Sequence, residues 1–221
     1  MSHEPGGRRA TRPGAGRQDR HDLDAVCGLG SSDESADLLT IAAGHSIDAL
    51  RFVAGEFSEV SSIVSTQVDQ WYETDTKKML DVTSPDNIIV SGRLANGAVV
   101  SVHVASNPWA GSGYRMEIYG RKGTLVATSE DSPQLGEVYL QGAQGTDNLE
   151  DITVPDKHTN VLEGMPKGPP HNVGQLYFQF GAAIRGQSAT YPDFDTAVDL
   201  HRLIDNIRLA SDDGRTVGTA G

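Results

Sequence analysis

Residues 38–50 read LLTIAAGHSIDAL, and the fold assigned to the chain turns on whether this run is a helix and which way it faces. At 100° per residue, Ile47, Leu50, Val53 and Ala54 gather on one face, and Gly55 stands where a helix stops. The spacing predicts a helix over 38–55. Ile41, His45, Asp48 and Phe52 fall at i, i+4, i+7 and i+11, on a side roughly opposite the apolar one. His45 and Asp48 are within reach of each other there. A carboxylate beside an imidazole favours the charged form and fixes its orientation, which suits a general acid–base. A bare H-x-x-D is also what a helix-surface pair or a backbone-satisfied histidine looks like.

Outward from this helix the pattern changes to strands. FSEVSSIVST (57–66) is β-branched and partly alternating. IIVSGRL (88–94) and AVVSVHV (98–104) flank Asn96-Gly97, the signature of a hairpin. YRMEIYG (114–120) and GTLVATS (123–129) flank Arg121-Lys122 in the same way, and EVYLQG (137–142) and ITV (152–154) are weaker strand candidates. Residues 155–172 hold Pro155, Pro166, Pro169 and Pro170 and are expected to form a loop or lid. Two helices close the chain. In 172–186, Val173, Leu176, Tyr177, Phe180 and Ile184 keep helical spacing, and Gly186 stops it. In 192–211, Asp193 or Asp195 caps the start, and Val198, Leu203, Ile204 and Ile207 supply the stripe. The order is helix, antiparallel strands, helices. That is an α+β fold: a large, mainly antiparallel open sheet with helices on one face and no Rossmann domain.

Composition bounds the function. The chain has 221 residues, 37% of them hydrophobic, enough for one substantial core. Residues 1–36, rich in Gly, Arg, Ser and Asp, are expected to be a disordered basic tail, and 37–217 the folded domain. Net charge is −12, and the first twenty residues carry +3, leaving −15 on residues 21–221. So acidic a surface repels phosphate backbones, which argues against a nucleic-acid partner. No apolar run reaches membrane-spanning length, the start lacks a secretory apolar region, and Cys27 is the single cysteine. A cytoplasmic setting without a membrane is the expectation.

Other candidate groups are scattered. His103 alternates with the apolar residues of its strand, and His201 falls beside Arg202 and Asp205 on a solvated helix face. His171, after the proline-rich run, is a candidate substrate contact. Trp109 and Arg115, around the Gly-rich SNPWAGSGYR, are candidates for stacking on and hydrogen-bonding a sugar. No spacing among the histidines and acids proposes a metal site. Gly28-Leu29-Gly30-Ser31-Ser32-Asp33 resembles half of a dinucleotide turn, but Asp33 replaces the third glycine and no strand precedes it.

Three segments carry a resemblance. LLTIAAGHSIDALRFVAGEF, MEIYGRKGTL (116–125) and YPDFDTAVDLHRLIDNI (191–207) are similar, in that order, to motifs of the C-terminal domain of the glucose-fructose oxidoreductase / inositol dehydrogenase / rhizopine-catabolism family. The first segment is closest to the branch of the fungal galactose-regulon repressor and its bacterial relatives. The resemblance spans about residues 38–217.

What it implies is an α+β domain whose sheet shapes a sugar or polyol site on one side and supports a homo-oligomer on the other. It also implies NAD(P) for a full-length relative, with no cofactor site in this chain. His45 matches the family's catalytic histidine, and Asp48, Trp109, Arg115 and His171 become the substrate-binding candidates. The family's acid, four residues before the histidine, is here Ile41. Asp37 lies two turns before His45, about 12 Å from it along the axis, too far to replace it. The family's catalytic lysine belongs to a nucleotide domain that this sequence does not display. The expectation is therefore the substrate-binding and oligomerisation half of an NAD(P)-dependent sugar or cyclitol oxidoreductase, truncated and inactive alone. The alternative is a non-enzymatic, ligand- or protein-binding regulatory module. A stand-alone lyase or isomerase would need an electrophilic stabiliser that the sequence does not show.

Overall fold

The computed structural model describes residues 37–73, 75–106, 111–188 and 192–219. The tail and Trp109, with its flanking residues 107–110, lie outside the described residues. The first helix opens as a π-helical turn, Leu39–Ala43, and continues as α1, Gly44–Ala54. Its entrance is tied by Asp37 and Thr40. The Thr40 amide donates to Asp37 Oδ1 at 2.9 Å, and the Asp37 amide donates to Thr40 Oγ1 at 3.0 Å. α1 stops at Gly55, whose φ of 105° suits a residue without a Cβ.

The strands are β1 Phe57–Ser65, β2 Gln70–Glu73, β3 Lys78–Asp81, β4 Asn87–Leu94 and β5 Val99–Ala105, then β6 Tyr114–Tyr119, β7 Gly123–Ser129, β8 Tyr139–Gln144 and β9 Glu150–Ile152. Two helices follow, α2 Pro169–Ile184 and α3 Phe194–Asp213, and β10 Val217–Gly218 ends the described chain. Every ladder among the described residues is antiparallel. The strands are distributed between a four-stranded sheet ordered β10-β1-β4-β5, a β2-β3 hairpin and a second four-stranded sheet ordered β6-β7-β8-β9. The predicted α+β layer of antiparallel sheet under helices is what the fold contains.

The core lies between α1, α3 and the first sheet. Leu39, Ala43 and Ile47 meet Leu203, Ile204 and Ile207 above Val60, Ile88 and Val90, all of them buried. The alternation along β4, with Ile88, Val90 and Leu94 buried and Ile89, Ser91 and Arg93 exposed, is the period-two signature of a sheet with one face covered. α3 begins with a capping box in which Asp193 accepts from the Thr196 amide at 2.9 Å. It is fastened to β1 by polar bonds as well as by packing: Ser62 Oγ donates to the Ile207 carbonyl and the Val64 amide donates to Ser211 Oγ.

Several local expectations shift. Val53 and Val198, placed on buried stripes by spacing, are about half exposed. The buried residues of α1 are instead Gly44, Ile47 and Arg51, continuing from Ala43 of the π turn and flanked by half-buried Leu50 and Ala54, with an arginine where an apolar residue was expected. The 155–172 loop contains a 3-10 turn, Asp156–His158, and gives way to α2 at Pro169. Both prolines occupy the first helical positions, where the missing N–H has no partner to lose. In the second sheet, MEIYGRKGTL forms a tight β6–β7 hairpin closed by the Gly120 amide on the Gly123 carbonyl at 2.8 Å. A Cβ on Gly123 would stand 2.0 Å from the Ala143 carbonyl oxygen of β8, so the motif's second glycine is dictated by close strand approach.

Asp37 is 3% exposed, and its second oxygen accepts from Arg208 Nη2 at 2.5 Å, joining the first and last helices. Removing one partner of a buried pair leaves the other charge uncompensated. Asp37→Ala is therefore expected to lower unfolding stability by about 3 kcal/mol, read from urea denaturation. A loss below about 1 kcal/mol would show that the pair does not hold the helices.

Candidate functional site

His45 is the second residue of α1, directly after the π turn. Single π turns inserted in α-helices often accompany functional positions. The buried arc of α1 points His45 the opposite way, and the imidazole is exposed. Among the described residues it makes no hydrogen bond or ion pair. Ile41, on the turn before it, is half-buried.

Asp48 does not join His45. Its carboxylate faces Arg51, with Oδ1 3.8 Å from Nη1, which is an electrostatic contact and too long for a hydrogen bond. The physical reason is the arginine itself. Arg51 is 5% exposed, so its charge requires counter-ions nearby. Glu56 supplies the closer one, accepting from Arg51 Nε at 2.6 Å. Arg51 Nη1 is buried and has no hydrogen-bond partner, so Asp48 compensates it through charge alone. The pattern G-H-x-x-D-x-x-R-x-x-x-G-E thus divides cleanly. Asp48 and Glu56 flank a buried cation, Gly55 supplies the turn, and His45 alone is left with its polar atoms facing solvent.

The remaining candidates lie on other elements. Arg115, on β6, is exposed and donates from Nε to Glu117 Oε1 at 3.0 Å. That bond, reinforced by the guanidinium charge, holds the Glu117 carboxyl below its ordinary pKa despite an opposing desolvation effect. His171 is half-buried in the first turn of α2 and makes no hydrogen bond among the described residues. His103 Nε2 lies 3.4 Å from Asn87 Oδ1 on the outer face of the first sheet. His45, Arg115 and His171 are carried by α1, β6 and α2, and no hydrogen bond or ion pair joins any two of them.

Two clusters escaped the sequence reading. One is the Arg51 node, whose only trace in the sequence is an arginine at an apolar helical position. The other is exposed: Lys167 pairs with Glu137, and Tyr139 Oη donates to Glu137 Oε2 at 3.2 Å. The lysine lowers the Glu137 pKa, chiefly through its hydrogen bond, and Glu137 in turn raises those of Lys167 and Tyr139. Thirty residues separate its members, so no local signal marks it. No described group of His, Cys, Asp and Glu is arranged to hold a metal ion.

The match to known proteins is specific. Residues 29–129 match the model of the Gal80p C-terminal-domain family. The fold is similar to the transcriptional regulator Gal80p of Kluyveromyces lactis, with a TM-score of 0.68 and 21% identity over 84% of this chain and 46% of that one. It is equally similar to levoglucosan dehydrogenase in complex with NADH and levoglucosan, with a TM-score of 0.69 and 21% identity over 85% and 52%. In sequence it is 29% identical over 90 residues to an uncharacterized oxidoreductase of Synechocystis sp., a match covering 40% of this chain and 24% of that protein. The chain therefore spans about half the length of the solved structures it resembles, and its match covers about a quarter of the curated relative.

Replacing Arg115 removes the cation that stabilises the Glu117 carboxylate. In Arg115→Ala the Glu117 carboxyl is expected to titrate at higher pH than in the parent, followed by its side-chain carbon resonance. An unmoved midpoint would mean that Arg115 is not held by Glu117 in solution and is free for a ligand.

Proposed function

We propose that this chain is the substrate-shaping and oligomerising part of an NAD(P)-dependent sugar or cyclitol oxidoreductase-like protein, inactive without a nucleotide-binding partner domain. The observation that carries this reading is His45. The other charged residues of its motif are engaged with one another, Asp48 and Glu56 around Arg51, whereas His45 stands at the start of the helix, exposed and without a hydrogen bond among the described residues. An exposed imidazole without a hydrogen-bond partner is suited to passing a proton to or from a hydroxyl oxygen. Arg115, Trp109, Asp48 and His171 are the residues proposed to contact the sugar or polyol.

The described strands pair only antiparallel, with no β–α–β crossover of the kind that cradles a pyrophosphate; the proposal therefore assigns NAD(P) to a companion domain of a full-length relative and no hydride step to this chain. The outer face of the first sheet is the proposed surface for a homo-oligomer. It aligns Ser61, Ser91 and Ser101 across three strands beside the exposed Ile63, Ile89 and Val99. No described helix is long and apolar enough to cross a membrane. A cytoplasmic setting, supported by the single cysteine in 221 residues, belongs to the same proposal.

One observation favours a second reading, a ligand- or protein-binding regulatory module. Ile41 stands where a carboxylate would orient and charge-stabilise the histidine, and a transcriptional regulator is among the similar folds.

Joining the chain to a nucleotide-binding domain and assaying NAD(P)-dependent turnover over a sugar panel separates the two. The oxidoreductase reading expects turnover that falls by about 10²–10⁴-fold in His45→Asn, with an unchanged thermal melt because the side chain is exposed. Intact nucleotide binding without turnover on any sugar would sink it in favour of the regulator.

A further inference from the structure

α2 is an amphipathic helix mounted with its apolar side outward. Val173, Leu176, Tyr177, Phe180 and Ile184 recur at i, i+3, i+4, i+7 and i+11, an arc of about 100°. Sequence logic sends such a stripe into a core, yet these five side chains are 49–71% exposed and no residue of α2 is buried. The opposite side makes the contacts with the fold. Asn172 Nδ2 donates to the Gln134 carbonyl at 3.0 Å, and Gln175 Nε2 donates to the His158 carbonyl at 2.8 Å while Gln175 Oε1 accepts from the Asn160 amide at 2.7 Å. Gly174 lies against the 161–165 loop, so close that a Cβ would stand 2.9 Å from Met165 Sδ and from Val161 Cγ1. Leu162, 80% exposed in that loop, extends the apolar patch.

We propose that this ridge docks a second copy of the chain, through a two-fold antiparallel pairing of α2 with α2. The stripe reads nearly the same in reverse. Pairing centred between Phe178 and Gln179 sets Val173 opposite Ile184 and Tyr177 opposite Phe180, each contact occurring twice, as an isologous interface requires. Charge agrees. Pro169–Ile184 contains no Asp, Glu, Lys or Arg, so two chains of net charge −12 can approach there without like charges facing. At the helix ends, Arg185 bonds only to the neutral Gln187, and Glu163, in the loop beside Gly174, has no ion pair among the described residues. Antiparallel pairing brings Arg185 of one copy to the end of the helix where Glu163 of the other lies.

The chain's own tail and a bilayer fit less well. Residues 1–36 hold five arginines but only Leu23, Val26 and Leu29 as large aliphatics, too few to fill five apolar positions. An anionic bilayer would find no basic rim along the helix. The ridge is about 24 Å long and offers less than the roughly 800 Å² per partner of a standard interface. The pairing is accordingly weak, with Kd on the order of 10–100 μM.

This inference goes beyond the oxidoreductase reading and does not depend on it, and one set of variants separates it from assembly through the first sheet. Sedimentation equilibrium of the full 221-residue chain from about 1 to 300 μM is expected to show reversible dimerisation. Tyr177→Glu with Ile184→Glu should raise Kd at least about 30-fold, whereas Ile89→Glu on the outer sheet face should leave the α2 step in place. In the wild-type chain, α2 amide exchange should slow as concentration rises. A monomer throughout, an unchanged Kd in the α2 variant, or exchange in α2 that ignores concentration would overturn the proposal.

Discussion

The first and last helices of the described fold are held together by one carboxylate. Asp37 uses one oxygen to tie the entrance of the π turn to Thr40 and the other to hold Arg208, 171 residues away in sequence. α3 presents a continuous stripe of Leu200, Leu203, Ile204, Ile207 and Ala210, whereas α1 interrupts its buried side with Arg51, so packing alone sets the azimuth of α1 less firmly. A buried ion pair contributes modestly to net stability because desolvation opposes it, but a rotation that separates the charges is expensive. The pair thus fixes which side of α1 meets the sheet, and with it the outward direction of His45. Ser62 and Ser211 do the same for α3 on β1, where hydrogen bonds fix a register that apolar contacts leave loose.

The same reasoning explains what the motif around His45 encodes. Arg51 sits at a position whose helical phase demands burial, and once there it recruits Asp48 and Glu56. A carboxylate that compensates a buried cation is poorly placed to share a proton with a neighbouring imidazole. The H-x-x-D pairing read from spacing therefore gives way to D-x-x-R, because the buried charge has the greater need. His45 keeps its exposure and loses both acids that could have oriented it, Asp48 to Arg51 and the preceding-turn position to Ile41. The described residues leave His45 without an orienting acid.

How much of this was legible in the sequence depends on range. Period-two alternation and the Asn96-Gly97 and Arg121-Lys122 connections located β4 to β7 within a residue or two, because hairpins are set by local chemistry. Gly55 and Asp193 marked helix ends for equally local reasons. β10 was not legible: two residues acquire strand geometry only by pairing Val217 with Val60. The β2–β3 hairpin was missed because QWYE and KMLD carry no clean alternation. Pro169 and Pro170 read as breakers, although a helix tolerates them at its start. His45 was found through periodicity and resemblance. The partners of Asp37 and Arg51 were not, since buried charge pairs leave no spacing signature.

α2 shows the limit of periodicity most clearly. A hydrophobic stripe in sequence specifies that a helix has an apolar side; it says nothing about where that side points. In α1 and α3 the stripe is captured by a β-branched inner sheet face, Val60, Ile88 and Val90, which offers more apolar area than either helix can cover alone. α2 meets instead the loops at 134–137 and 158–165, whose backbone carbonyls and amides need hydrogen bonds. Asn172 and Gln175 bond to those exposed groups, and the apolar residues are left facing away from the fold. An uncharged apolar ridge on so acidic a chain marks where that surface can be covered without desolvating charge.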